Sequence, residues 1–144
     1  MLEIVVDASL AVKWVMKGES HRQKARKFLR ESLDSGIRLI APPLFESETE
    51  SVIQEEVLFG HVSVADADKA LLALDSTGVH IVHDPRVKKC ARQIARRFNQ
   101  RRVYDATYAA LAELRNCDFW TADKAFYEAV KYALSFVKYL PNYP

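Results

Sequence analysis

Cysteine, glycine and long apolar runs are all scarce in this 144-residue sequence. Cys90 and Cys117 stand far apart and belong to no C-x-x-C pair, so the sequence supports neither a zinc site nor a disulfide framework. No apolar run approaches the roughly 20 residues that cross a bilayer. Asp7 falls within what would be the apolar region of a signal peptide, which argues against secretion. We therefore expect a cytoplasmic protein without a membrane partner.

The usual signatures of several enzyme classes are also missing. The sequence contains no Gly-rich phosphate loop, no G-x-S-x-G element and no G-x-G-x-x-G element. These absences argue against a P-loop enzyme, an α/β-hydrolase and a dinucleotide-binding fold. The net charge of +2, from 21 basic and 19 acidic residues, says little about partners, so the distribution of charge has to be considered instead.

Short apolar, β-branched runs alternate with longer stretches of helical periodicity. This alternation predicts parallel strands joined by helical crossovers. We expect one domain over residues 1–144, a three-layer α/β/α fold whose central parallel sheet has four to five strands. The predicted strands are residues 2–6, 38–41, 79–82, 118–120 and 134–137. The predicted helices begin at residue 10 after a Ser9 cap and then cover 20–33, 43–59, 63–74, 84–98, 103–115 and 124–132.

Four acidic residues fall at equivalent places in this predicted order. Asp7 ends the first strand, and Glu48 lies early in the helix after the second. Asp105 lies in the first turn of the helix that precedes the strand at 118–120, and Asp123 follows that strand. Because the carboxyl ends of parallel strands share one edge of a sheet, all four side chains are predicted to meet there.

Each of these acids also has a simpler explanation. Asp7 could be a turn former, and acids in a first helical turn, such as Asp105 and Asp123, commonly complement the helix dipole. Thr121 could be the cap of the last helix, with Asp123 merely in its first turn. The functional interpretation depends on the four acids occurring together.

Glu48 has two acidic neighbours, Glu46 and Glu50, that could take its place. Helical spacing favours Glu48, because it lies four positions from both Leu44 and Val52 on the inward stripe of its helix. An acid on such a stripe needs a partner, since burying an unpaired charge is expensive.

A cluster of carboxylates stays ionised only if a cation compensates its charge. Two like charges about 5–6 Å apart repel by roughly 3 kcal/mol at an effective dielectric constant near 20. Oxygen ligands with no cysteine or histidine nearby select a hard ion, Mg²⁺ or Mn²⁺. Such an open acidic site suits phosphodiester chemistry.

A strongly basic stretch lies between Asp84 and Asp105, where the sequence has no acidic residue. Its side chains could simply be the solvated face of a helix. They could instead contact the phosphates of a nucleic acid that approaches the acidic site, in which case affinity would fall steeply with salt. The candidate RNA-binding residues are Lys88, Arg92, Arg96, Arg101 and Arg102.

Four segments of the sequence resemble the motifs of PIN-domain ribonucleases of the VapC toxin type. They are residues 5–9, residues 41–44 leading to Glu48, residues 104–112 and residues 121–124. The resemblance implies an endoribonuclease that depends on Mg²⁺ or Mn²⁺, is usually dimeric, and is neutralised by a small antitoxin protein inserted in its active-site groove. The Glu-rich run at 46–50 departs from the more apolar surroundings usual in that family.

We therefore predict RNA cleavage by metal-activated water. Asp7, Glu48, Asp105 and Asp123 would be the catalytic metal ligands, with Ser9 and Thr121 orienting them through hydrogen bonds. One alternative is a PIN-like RNA-binding module that has lost catalysis. Another is a phosphatase or phospho-acceptor domain in which Asp7 is the nucleophile.

Overall fold

The computed structural model describes residues 2–144, which form five strands and seven α-helices. The strands are β1 (Glu3–Val6), β2 (Arg38–Ala41), β3 (His80–Ile81), β4 (Asp118–Thr121) and β5 (Val137–Tyr139). The helices are α1 (Ala8–Val15), α2 (Arg22–Asp34), α3 (Leu44–Leu58), α4 (Val64–Asp75), α5 (Val87–Arg97), α6 (Tyr104–Arg115) and α7 (Lys124–Val130). A 3₁₀ turn over Leu140–Asn142 follows β5.

All five strands are parallel and form one sheet in the order β3-β2-β1-β4-β5. The predicted α/β/α class with a parallel sheet of four to five strands is therefore confirmed. Central strands of such a sheet are covered on both faces, which is why Val5 and Val6 of β1 are fully buried.

The strand order creates a switch point between β1 and β4. From β1 the chain moves outward to β2 and β3, and it then returns to place β4 on the other side of β1. The loops that follow β1 and β4 therefore lead away in opposite directions and leave a crevice at the carboxyl edge of the sheet.

Small side chains let α6 pack closely in the interior. Ala106, Ala109 and Ala110 are completely buried along this helix, and the helix ends with Asn116 in the left-handed conformation. Close packing of α6 fixes the position of its first turn, which lies at the same edge as the crevice because α6 runs back along the sheet before β4.

Several predicted boundaries are wrong. The first helix begins at Ala8 and its cap is Asp7, not Ser9, because a carboxylate at that position accepts a hydrogen bond from the helix backbone. The last strand is Val137–Tyr139 rather than 134–137, since Leu134 lies in the turn that precedes it.

Other boundaries differ by one to three residues. The fifth helix starts at Val87 rather than 84, because the Asp84 carboxylate accepts a hydrogen bond from the backbone of Arg86 in a turn. The third strand shrinks to two residues, and the last helix ends at Val130 instead of 132. Within residues 2–144, none of the helices combines the length and the apolar character that a membrane crossing requires.

Candidate active site

Asp7 is buried at the carboxyl end of β1, with only 2% of its surface exposed. One carboxylate oxygen caps α1 by accepting a hydrogen bond from the backbone of Leu10 at 3.0 Å, and the same oxygen accepts one from the Ser9 hydroxyl at 2.7 Å. The second oxygen accepts a hydrogen bond from the Thr121 hydroxyl at 2.5 Å. Both oxygens are thus oriented by donors from α1 and β4.

The same hydroxyls join the two loops of the switch point. The Ser9 hydroxyl accepts a hydrogen bond from the Ala122 backbone at 3.0 Å, and that of Thr121 accepts one from the Asp123 backbone at 3.0 Å. Asp123 in turn caps α7 by accepting a hydrogen bond from the Phe126 backbone at 3.0 Å. Asp123, not Thr121, is therefore the cap of this helix, and the chain after β4 is fixed next to Asp7.

Glu48 enters the site from α3 and is held by a tyrosine from α6. Its Oε1 atom accepts a hydrogen bond from the Tyr108 hydroxyl at 2.6 Å. Glu48 is half-buried, whereas Glu46 and Glu50 are exposed. The choice of Glu48 among the three acids, made from helical spacing, agrees with these positions.

Asp105 lies in the first turn of α6, between the other acids. Burial is the largest cause that raises its pKa, to about 7, and the negative charges of Asp123, Asp7 and Glu48 raise it further. The structure therefore brings all four predicted acids close enough to interact.

The environment also disfavours the charged forms of Asp7 and Glu48. Burial raises the pKa of Asp7 to about 6, although the hydrogen bonds from Thr121, Ser9 and the Leu10 backbone lower it in part. Burial likewise raises the pKa of Glu48 and outweighs the hydrogen bond from Tyr108. Negative charge at this edge of the sheet is thus poorly compensated by the protein alone.

The donor chemistry of this edge fits a hard divalent cation. Four carboxylates, two hydroxyls and no cysteine or histidine are the ligand types that Mg²⁺ and Mn²⁺ prefer. As they stand, the side chains of residues 2–144 include no group of three or more Asp, Glu, His or Cys residues that could hold a metal ion. Hydrogen bonds from Leu10, Tyr108 and Phe126 fix the orientations of Asp7, Glu48 and Asp123, respectively.

The predicted RNA-binding residues are all exposed. Lys88, Arg92 and Arg96 share one face of α5, and Arg101 and Arg102 lie in the loop that leads to Asp105. None of the five forms an ion pair within residues 2–144. Their charges are therefore available to a ligand.

A family model describing the PIN domain matches residues 4–132. The chain belongs to the PIN domain family. The match runs from β1 to just beyond α7, and so it contains all four acids of this PIN domain.

Solved structures resemble this PIN domain in fold. PAE2754 from Pyrobaculum aerophilum matches with a TM-score of 0.66 and 23% identity, over 90% of this chain and 86% of that one. VapC20 from Mycobacterium tuberculosis, a toxin that cleaves the sarcin-ricin loop, matches with a TM-score of 0.67 and 18% identity, over 88% of this chain and 95% of that one. None of the curated proteins compared with the sequence matches it significantly.

Tyr108 also contributes to the site of this PIN domain, although its position in the sequence predicted no role for it. It lies three positions after Asp105, so both side chains are on neighbouring parts of one helix face. Its ring is buried and stacks on Phe119 with 5.7 Å between ring centroids. The i, i+3 spacing is the signal that could have revealed it, but the partner Glu48 is 60 positions away.

Proposed function

We propose that this PIN domain is a Mg²⁺- or Mn²⁺-dependent endoribonuclease that hydrolyses phosphodiester bonds in RNA. PIN domains are generally nucleases. The observation that carries the proposal is the convergence of Asp7, Glu48, Asp105 and Asp123, from four separate elements, at one edge of the sheet. The raised pKa values of three of them indicate a site that lacks positive charge until a cation binds.

Each side chain has a distinct task in this proposal. Asp7 and Asp105 are the principal metal ligands, and Glu48 and Asp123 complete the set. A bound divalent ion lowers the pKa of water and stabilises negative charge on the phosphoryl oxygens. Ser9 and Thr121 fix the orientation of Asp7 through hydrogen bonds, and Tyr108 does the same for Glu48.

The basic residues bind the RNA backbone in this proposal. Lys88, Arg92 and Arg96 form a row on α5, and Arg101 and Arg102 continue it to the start of α6. Contacts with phosphates position the strand without reading its bases. The row therefore supplies affinity and brings the strand toward Asp105.

We further propose that the protein is the toxin of a toxin–antitoxin pair. It would act in the cytoplasm as a homodimer and be neutralised by a small cognate antitoxin protein. The similarity in fold to the toxin VapC20 supports this role. Expression of the chain is expected to arrest growth, while expression of Asp7→Asn is not. Rescue by the product of a short neighbouring gene would identify the antitoxin.

The geometry argues against the two alternatives. A phospho-acceptor must present its nucleophile, but Asp7 is almost completely buried and both of its oxygens accept hydrogen bonds. A module without catalysis need not retain acids whose charges repel one another, and this chain keeps all four.

Digestion of RNA tests the proposed nuclease directly. The purified protein is expected to cut RNA with Mn²⁺ or Mg²⁺ and to stop when a chelator is added. Asp105→Asn should abolish cutting. Asp66→Asn is the matched control, because Asp66 also lies in a first helical turn but belongs to α4, beside the far end of α1.

The outcomes separate the candidates. RNA that is bound but not cut under any metal condition would favour the module without catalysis. Hydrolysis of a small phosphate ester, with a trapped phospho-enzyme and no RNA products, would favour the phospho-acceptor. Equal cutting by Asp105→Asn and the parent would show that the assigned site is wrong.

A further inference from the structure

Tyr104 is an exposed aromatic side chain in the first turn of α6, directly before Asp105. It is 46% exposed, as is the preceding Val103. The other exposed aromatic side chains described in residues 2–144, apart from histidines, are Phe59 and Tyr132. Both follow the C-terminal ends of helices whose opposite ends face the acids. Tyr104 is therefore the exposed ring closest in the chain to a site acid.

Helix geometry places Tyr104 between two features of the surface. Successive residues turn by about 100°, so Tyr104 shares a face with Thr107 and Tyr108, three and four positions later. Tyr108 contacts Glu48 in the site. Thr107 lines a cleft of about 480 Å³ whose other walls include Pro43 and Leu44. The exposed ring thus stands on the strip of α6 that separates the acids from a largely apolar cleft.

Positively charged residues lie near the ring. Arg101 and Arg102 precede it, and the Arg102 guanidinium lies 6.0 Å from the centre of the Tyr104 ring. Lys88 lines the neighbouring cleft. A ring next to cations that are free to bind phosphates is the combination that single-stranded nucleic acids require, because the backbone follows the charges while a base stacks on the ring.

We infer that Tyr104 is a stacking platform for an unpaired base of the RNA substrate and so acts as a positioning residue for cleavage. The inference rests on the proposed ribonuclease function. A base stacked on Tyr104 places its sugar–phosphate next to Asp105. Paired bases are not free to stack in this way, so the platform selects single-stranded segments over duplex.

Three substitutions test the platform. Tyr104→Ala removes the ring, Tyr104→Phe keeps the ring without its hydroxyl, and Tyr132→Ala removes a matched ring elsewhere. Tyr132 is a suitable control because it is 94% exposed and also has a cation beside its ring, the Lys131 ammonium at 5.1 Å. The probes are a fluorescein-labelled single-stranded RNA of randomised sequence and a fully paired RNA hairpin. Thermal melting of each variant checks the fold.

The platform predicts a specific pattern. Tyr104→Ala should raise KM and Kd for the single strand by about 5- to 150-fold, the range of measured base–aromatic stacking. The change in kcat should be smaller, and the preference over the hairpin should shrink. Tyr104→Phe and Tyr132→Ala should keep the parent values.

The result also distinguishes the platform from the proposed function. Suppose that the parent cuts RNA and that Tyr104→Ala and Tyr132→Ala have equal KM and Kd values. This result would overturn the platform but leave the nuclease proposal intact. A loss in Tyr104→Phe as large as in Tyr104→Ala would also overturn it, since the hydroxyl would then be the active group. A parent that cuts nothing would count against the nuclease, and the Kd series would then decide the platform alone.

Discussion

The Tyr108 hydroxyl donates a hydrogen bond to Glu48 Oε1 at 2.6 Å and thereby connects α6 with α3 at the acidic edge of the sheet. Burial together with the adjacent negative charge of Glu48 raises the pKa of Tyr108, so this hydroxyl stays protonated and remains a donor. Glu48 therefore has a fixed orientation before any ligand arrives.

Replacing Tyr108 by phenylalanine isolates this hydrogen bond. The variant keeps the ring that stacks on Phe119 but leaves Glu48 without its donor. We expect about a 10- to 100-fold loss of cleavage activity or Mn²⁺ affinity, measured by metal titration of the rate, with little change in melting temperature. Tyr143→Phe is the control, because it removes a Tyr–Glu hydrogen bond to Glu31. Equal effects of both variants would contradict a specific role for Tyr108.

Asp7→Asn is expected to stabilise the metal-free protein while it abolishes cleavage. Asparagine can still cap α1 through its carbonyl oxygen, and its amide can donate a hydrogen bond to the Thr121 hydroxyl. The substitution removes a buried carboxyl group whose pKa is raised to about 6. At about pH 8 the melting temperature should rise by about 3–8 °C, corresponding to about 1–2 kcal/mol. Differential scanning calorimetry in chelator measures this change, and Asp66→Asn should leave it near zero. A fall in the melting temperature would contradict the interpretation.

The metal-free protein should become less stable as pH rises. The pKa of Asp7 rises from 3.8 to about 6 on folding, and that of Asp105 rises from 3.8 to about 7. Between these values the folded state binds more protons than the unfolded state, so the free energy of unfolding falls as pH rises from about 4 to about 7. We expect a higher melting temperature at about pH 5 than at about pH 8 in chelator.

Divalent ions should cancel this trend, because they bind the deprotonated carboxylates. Mn²⁺ should therefore raise the melting temperature more at about pH 8 than at about pH 5. Asp105→Asn should flatten the pH profile. A melting temperature that increases with pH in chelator would show that these carboxylates are not destabilised by folding.

The basic row on α5 should control the salt dependence of RNA binding. Arg92→Gln combined with Arg96→Gln removes two phosphate contacts, which should lower the slope of log Kd against log salt by about one to two. Fluorescence anisotropy over a salt series measures the slope. Arg26→Gln with Arg30→Gln is the control, since these exposed arginines have the same spacing on α2. An unchanged slope would remove α5 from the RNA-binding surface.

The sheet could be predicted because its signals are local and repeated. Each strand is a short apolar run followed by a turn residue or helix cap. The residues that follow parallel strands all lie at one edge of the sheet. That rule is sufficient to predict the neighbourhood of Asp7, Glu48, Asp105 and Asp123 without any knowledge of pairwise contacts.

Details that depend on tertiary contacts could not be predicted in the same way. Ser9 has the usual properties of a cap, but its hydroxyl instead connects Asp7 to Ala122, which is 113 positions away. The last strand follows Leu134 rather than containing it, because its place is set by pairing with β4. Local propensity carries no information about such distant partners.

The strand order also determines when during synthesis the site can exist. Asp123 and the Thr121 donor to Asp7 belong to β4 and the loop after it, and β4 must insert beside β1, the strand made first. A ribosome-bound chain that ends before residue 118 contains β1, β2 and β3 but lacks β4. The crevice between the loops that follow β1 and β4 is therefore absent. The proposed active site can therefore form only after most of the chain has been synthesised.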